Sequence, residues 1–148
     1  MKRVAGLRDL SDDHHTALVL ARRCRQAAQG GDAAALGAAW SAVRDAFARE
    51  LEPHFAIEER HLLPALEAIG EAALAERIRA DHAALRAQVG EPAPRGGHVE
   101  AFGRLLDAHV RFEEREVFEP VQHRLAPAAL AAIAAACAET RRACSVRR

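Results

Sequence analysis

Two stretches of the chain carry the same pattern of chemically able side chains. One reads His54-Phe55-Ala56-Ile57-Glu58-Glu59-Arg60-His61 and ends near Pro64; the other reads His109-Val110-Arg111-Phe112-Glu113-Glu114-Arg115-Glu116 and ends near Pro120. Both are His-x-x-x-Glu-Glu-Arg. A His and a Glu four residues apart lie one above the other on a helix face, so both can reach one ion or two adjacent ions. A fainter match joins Leu10-x-x-Asp13-His14 to Ile78-x-x-Asp81-His82. The chain is therefore two similar helical hairpins, each with a lone His on one helix and His-x-x-x-Glu on the next. A single inward His is most often a satisfied core residue, and a single Glu is usually solvated. Four inward histidines and two inward carboxylates together are different, because unpaired buried carboxylates are costly and need positive charge among them. Arginine could supply it, but imidazoles on all four helices point to a metal. Imidazole with carboxylate and no thiolate suits iron, manganese or zinc. Two carboxylates able to bridge favour a two-metal centre with ions about 3.5–4 Å apart.

The elements that must position these groups are helices. Leu7, Leu10, His14, Ala17, Leu18, Ala21, Cys24 and Ala28 keep helical apolar spacing, so a first helix covers about 8–29. Gly30-Gly31-Asp32 ends it and caps the next, which runs to about Ile69 with a kink at Pro53. Gly70 closes that helix and a third runs from Glu71 to about Val89. The stretch Gly90-Glu91-Pro92-Ala93-Pro94-Arg95-Gly96-Gly97 is a loop. A fourth helix covers about 98–125, and Pro127 starts an Ala-rich fifth that reaches about Cys144. No stretch alternates with period two. The expected fold is all-α, an up-down-up-down four-helix bundle over about 7–125 with an additional C-terminal helix over about 127–144, in one domain spanning 1–148. The tail Ser145-Val146-Arg147-Arg148 should be frayed.

Composition removes several classes. Equal numbers of basic and acidic residues, 21 each, give no net field to steer the chain toward nucleic acid. The absence of tyrosine excludes a tyrosyl radical or phenolic acid. No apolar run approaches membrane-spanning length, and the N-terminal residues lack a signal-peptide core, so neither a membrane nor export is expected. Cys24, Cys137 and Cys144 form no Cys-x-x-Cys pair and read as thiols of a reducing compartment, which makes a cytoplasmic location the expectation.

Taken in chain order, Leu10-x-x-x-His14, His54-x-x-x-Glu58, His82 and His109-x-x-x-Glu113 resemble the metal-ligand pattern of the hemerythrin-like, HHE cation-binding domain family. The resemblance covers about residues 7–125. It implies a non-haem di-iron site in which His14 and His54 serve one ion, His82 and His109 the other, and Glu58 and Glu113 bridge. Arg86 departs from the pattern of oxygen-carrying hemerythrins, which have a second His one turn after the first on the third helix. That leaves two histidines per iron and suits reaction or sensing more than reversible carriage. Arg86 itself is expected either near a bridging carboxylate and the open iron position, or swung outward with its stem packed. His61 and its repeat mate Glu116 fall seven residues beyond His54 and His109, as a supplementary ligand, a supporting partner or an exposed edge. The apolar residue four before it and the heptad through it favour His14 over its neighbour His15. His98 is expected at the surface and His123 has no assigned role.

The function this implies is a di-iron protein that binds or reacts with O2, NO or peroxide in sensing, storage or stress repair. One alternative is a ferritin-like iron oxidase or storage module. That class needs Glu-x-x-His on two helices. Glu58-x-x-His61 supplies one copy, but Glu113 is followed three residues later by Glu116. Another is a metal-free interaction bundle presenting Arg22-Arg23, Arg141-Arg142 and Arg147-Arg148 to an acidic partner.

Overall fold

Five helices account for most of residues 2–147, which the computed structural model describes, and no strand occurs among them. Helix α1 spans Leu7–Gly30. Helix α2 covers 33–68 as α-helical stretches Ala33–Ala46, Glu52–Ile57 and Leu63–Ala68, joined by π-helical turns at Phe47–Leu51 and Glu58–Leu62. Helix α3 spans Ala72–Val89. Helix α4 covers 96–121, passing from Gly96–Phe112 through a π-helical turn at Glu113–Phe118 to Glu119–Val121. Helix α5 spans Pro127–Val146. The expected frayed tail is therefore helical to Val146, and Arg148 lies outside the described residues.

Local chemistry sets these limits. The Asp32 side chain accepts a hydrogen bond from the Ala35 amide at 2.8 Å and so opens α2. Gly70, at φ 85°, closes it, with the Glu71 amide on the Leu66 carbonyl at 2.9 Å and the Gly70 amide on the Glu67 carbonyl at 3.1 Å. Only glycine takes that left-handed position without steric cost, which makes it a common helix stop. Pro53, the expected kink, has helical backbone on both sides. Proline has no amide to give, and its ring crowds the carbonyl four residues back. A π-helical turn ends two residues before Pro53, and the same holds at Pro64 and Pro120. The wider turn absorbs the misfit, and helical backbone continues past each proline.

Helix α1 lies along α4, and α1 with α2, α2 with α3 and α3 with α4 complete a closed four-helix ring. Helix α5 packs on the outside, against α1 and the second half of α2. The α1–α4 contact is close because Gly103 has no side chain; a Cβ there would stand 2.8 Å from the Ala21 carbonyl oxygen. The apolar core falls into two clusters. One contains Leu10, Leu62, Leu66, Ile78, Val117 and Phe118, the other Leu20, Trp40, Phe47, Phe55, Leu85 and Phe102. Along α1 the first cluster stops at Leu10 and the second starts at Ala17, and each of the other bundle helices makes the same change. A polar layer occupies the gap.

Candidate metal centre

That layer consists of His14, His54, Glu58, His82, His109 and Glu113, none more than 3% exposed. The structure thus brings together all six residues singled out in the sequence. His14, His54, Glu58 and Glu113 form one group and Glu58, His82, His109 and Glu113 another, with the candidate ligand atoms of each group all within 4.8 Å of one another. Glu58 and Glu113 belong to both. The imidazole Nε2 atoms approach carboxylate oxygens to 3.0 Å (His14 to Glu113), 3.1 Å (His54 to Glu58), 3.2 Å (His82 to Glu58) and 3.4 Å (His109 to Glu113). None of these approaches is aligned as a hydrogen bond. All four Nε2 atoms and all four carboxylate oxygens are buried without a hydrogen-bond partner. Eight convergent orphan atoms in one layer would be costly in a protein core, and cation bound there would satisfy them.

The other nitrogen of each ring is anchored. His14 Nδ1 lies 2.7 Å from Glu114, His54 Nδ1 3.2 Å from Asp13, His82 Nδ1 2.8 Å from Glu59 and His109 Nδ1 3.3 Å from Asp81. Each anchor sits beside a member of the polar layer in the chain and crosses to the next helix. Helix α4 therefore anchors α1, α1 anchors α2, α2 anchors α3 and α3 anchors α4, a closed ring. A carboxylate on Nδ1 fixes the tautomer and turns Nε2 toward the interior, the usual support of a metal-bound imidazole. Sequence reasoning missed these four anchors, although their signal was in the repeat: an Asp directly before His14 and His82, and a second Glu directly after Glu58 and Glu113.

The structure separates the neighbouring candidates. His15 is exposed and Glu116 is exposed, and His61 lies in the groove between α2 and α5 with Pro53, Ala136 and Glu139. Neither His61 nor Glu116 joins the polar layer. The π-helical turns are the reason. Each inserts one residue, which rotates the following residues by about 100°, so position +8 replaces +7 on the inner face. Leu62 and Val117 accordingly point inward, both fully buried. His98 is not a free surface residue: its Nε2 is 2.7 Å from the Gln88 carbonyl and its ring packs edge-on against Trp40. Arg86 is swung away from the polar layer, clamped on Glu52 and Glu59 at 2.6 Å each.

Charge in the layer is strongly coupled. Burial alone would lower the His14 imidazole, but Glu113 and Glu114 outweigh it and raise it to about 9. Burial likewise opposes a charged His54, and Glu58 and Asp13 overcome this to raise it to about 10. Burial would raise Glu58, yet His54 and His82 hold it well below the usual carboxylate range. Both histidines are thus raised above their unfolded value of 6.5, so their protons stabilise the metal-free fold fully below that pH. That contribution disappears as pH climbs through about 9 and 10. Metal must displace the same protons. His82 is raised as well by Glu58 and Glu59, so zinc or cobalt added at pH 7.5 in weak buffer is expected to release at least two protons per chain, with apparent affinity rising as pH rises. A metal titration that leaves the pH unmoved would mean that these imidazoles are neutral before binding.

A family model described as the hemerythrin HHE cation binding domain matches residues 5–121, the span that contains the whole polar layer and stops before α5. No curated protein and no solved structure gives a significant match to the chain.

Proposed function

The chain belongs to the hemerythrin HHE cation-binding domain family, and on that premise we propose that it holds two non-haem iron ions and uses them on a small diatomic molecule or peroxide. His14 and His54 would hold one ion and His82 and His109 the other, with Glu58 and Glu113 placed to serve both. The observation that carries this reading is the pair of ligand groups sharing both carboxylates. Iron held by these residues would supply the electrons that reduce a small oxidant. Manganese and zinc share the donor chemistry, but only the former could replace that redox role.

The protein's own part is positional. The Nδ1 anchors hold the rings so that only Nε2 faces the interior, and the apolar clusters on both sides keep bulk water from the layer. Two imidazoles for each ion, with Arg86 turned away from the position where oxygen carriers have a further His, favour reaction or sensing over reversible carriage. The ferritin-like alternative requires His61 beside Glu58, and the groove position of His61 argues against it. A metal-free interaction bundle leaves the eight orphan atoms without a role. No helix among the described residues is long and apolar enough to cross a membrane. The reading is of a single cytoplasmic domain over 1–148.

Protein purified without oxygen should contain two irons per chain, and admitting O2 or NO should change its visible absorption. Iron content near zero in iron-replete cells would remove the di-iron reading. Bound iron whose absorption ignores O2, NO and peroxide alike would remove the small-molecule part alone.

A further inference from the structure

Outside the anchors lies a second pair of matched contacts. Arg3, in the segment before α1, grips Glu114 through Nη2 at 2.5 Å, and Glu114 anchors His14. Arg86, on α3, grips Glu59 through Nη1 at 2.6 Å, and Glu59 anchors His82. The guanidinium of Arg3 also lies 5.8 Å from the Phe118 ring, which stacks on His14 at 5.4 Å with 10° between planes. The guanidinium of Arg86 lies 5.7 Å from the Phe55 ring, which stacks on His82 at 3.8 Å and 12°. Each arginine thus touches a histidine's edge through a carboxylate and its face through a phenyl ring.

The internal repeat does not generate this match. Aligning His14 with His82 pairs Arg86 with Leu18, which cannot carry charge, and aligning His54 with His109 pairs Phe55 with Val110 and Phe118 with Leu63. The repeat matches Glu59 with Glu114 and His14 with His82, but unrelated positions supply the arginine and the phenyl ring that complete the contacts on the two halves of the site. The first half borrows its arginine from the residues before α1. That segment is tied down on its own account: the Val4 amide donates to Gln122 Oε1 at 3.2 Å, and Gly6, at φ 88°, lies so close to α5 that a Cβ would stand 2.6 Å from the Leu130 carbonyl. Among the described residues no arginine pairs with Asp13, so His54 has no equivalent. His109 has only the carboxylate half of the contact, with Arg77 Nε donating to Asp81 at 3.3 Å, while the Phe112 ring that Arg77 covers stacks on no histidine.

We propose that Arg3 and Arg86 are positioning residues, one for each metal of the pair, which hold Glu114 and Glu59 so that His14 and His82 present Nε2 to the ions. This rests on the two-metal reading above. The half that contains His14 is then conditional on the seating of residues 2–6, whereas the His82 half depends on the bundle alone.

The test is cobalt(II) titration of the metal-free full chain, followed by the visible absorption of the bound ion, with thermal melting of each metal-free variant alongside. The wild type should bind two ions. R3Q should weaken one binding step about 10–100-fold and R86Q the other, while the double variant weakens both, the size usual for loss of an outer partner of a ligand. Arg3 contacts the Glu114 carboxylate through one nitrogen, so R3K should restore most of the affinity. Arg86 uses Nε, Nη1 and Nη2 on two carboxylates, so R86K should restore little. R104Q, on the exposed Glu100 pair, should leave both steps unchanged. Wild-type affinity in both glutamine variants would overturn the proposal and leave the two-metal reading intact. Equal loss of both steps together with a lowered melting temperature would make these arginines structural and overturn it too. A wild type that binds no cobalt would bring down the two-metal reading and this inference with it.

Discussion

Glu113→Gln should reduce metal content from two ions per chain to less than one. Glu113 lies in both ligand groups, near His14 on one side and His109 on the other. An amide of the same shape keeps the packing but removes the charge that faces two cations, and it cannot bridge them as a carboxylate does. Glu58→Gln should act alike through His54 and His82. His54→Ala is the contrasting case. It removes a group of one ion only, so about one ion should remain with His82 and His109. Metal per chain after loading without oxygen distinguishes these outcomes, and circular dichroism checks that the helices persist. A Glu113→Gln protein that still carried two ions would show that this carboxylate is not shared.

The six residues of the polar layer were readable in the chain, while the division into shared and unshared groups was implied only by the family resemblance. The His-x-x-x-Glu copies and the Asp-His pairs placed six polar residues on inner helix faces, and the bundle follows from four amphipathic helices separated by Gly-rich or Gly-Asp stops. What escaped sequence reasoning escaped for physical reasons. A heptad carries His61 to the inner face only while the turn is regular, and the π-helical turn at Glu58–Leu62 breaks the count. The prolines at 53, 64 and 120 mark these turns, but proline alone reads as a kink. Arg86 one turn beyond His82 is close enough to the layer by spacing, and its outward swing depends on Glu52 and Glu59, carried by a different helix. Arg3 lay beyond reach for the same reason, being 111 residues from its partner Glu114. Contacts within one helix face were legible; contacts between faces needed the packing.

Gly103→Val should give the largest loss of stability, and it should also weaken the site. Gly103 on α4 faces Ala21 and Cys24 on α1, and an added Cβ would stand 2.8 Å from the Ala21 carbonyl oxygen and 2.9 Å from Cys24 Cβ. Neither is the loose end of a flexible side chain, so α1 and α4 must separate. Overpacking of this kind costs about 3 kcal/mol, a fall of roughly 6–12 °C in melting temperature for a chain of this size. Cys24→Gly in the same chain should recover little, because it removes the Cβ contact and leaves the carbonyl in place. The same two helices carry His14 and Glu113, whose Nε2 and carboxylate oxygen stand 3.0 Å apart. Prising them apart therefore spreads the ligand group of His14 and His54, and metal affinity should fall alongside stability. Gly37→Ala is the control, since nothing lies within 4 Å of a Cβ there and it sits inside the first stretch of α2. It should stabilise the fold by about 0.5–1 kcal/mol without touching metal affinity. A Gly103→Val protein that melted within a degree of wild type would mean that α1 and α4 are not held together at this crossing.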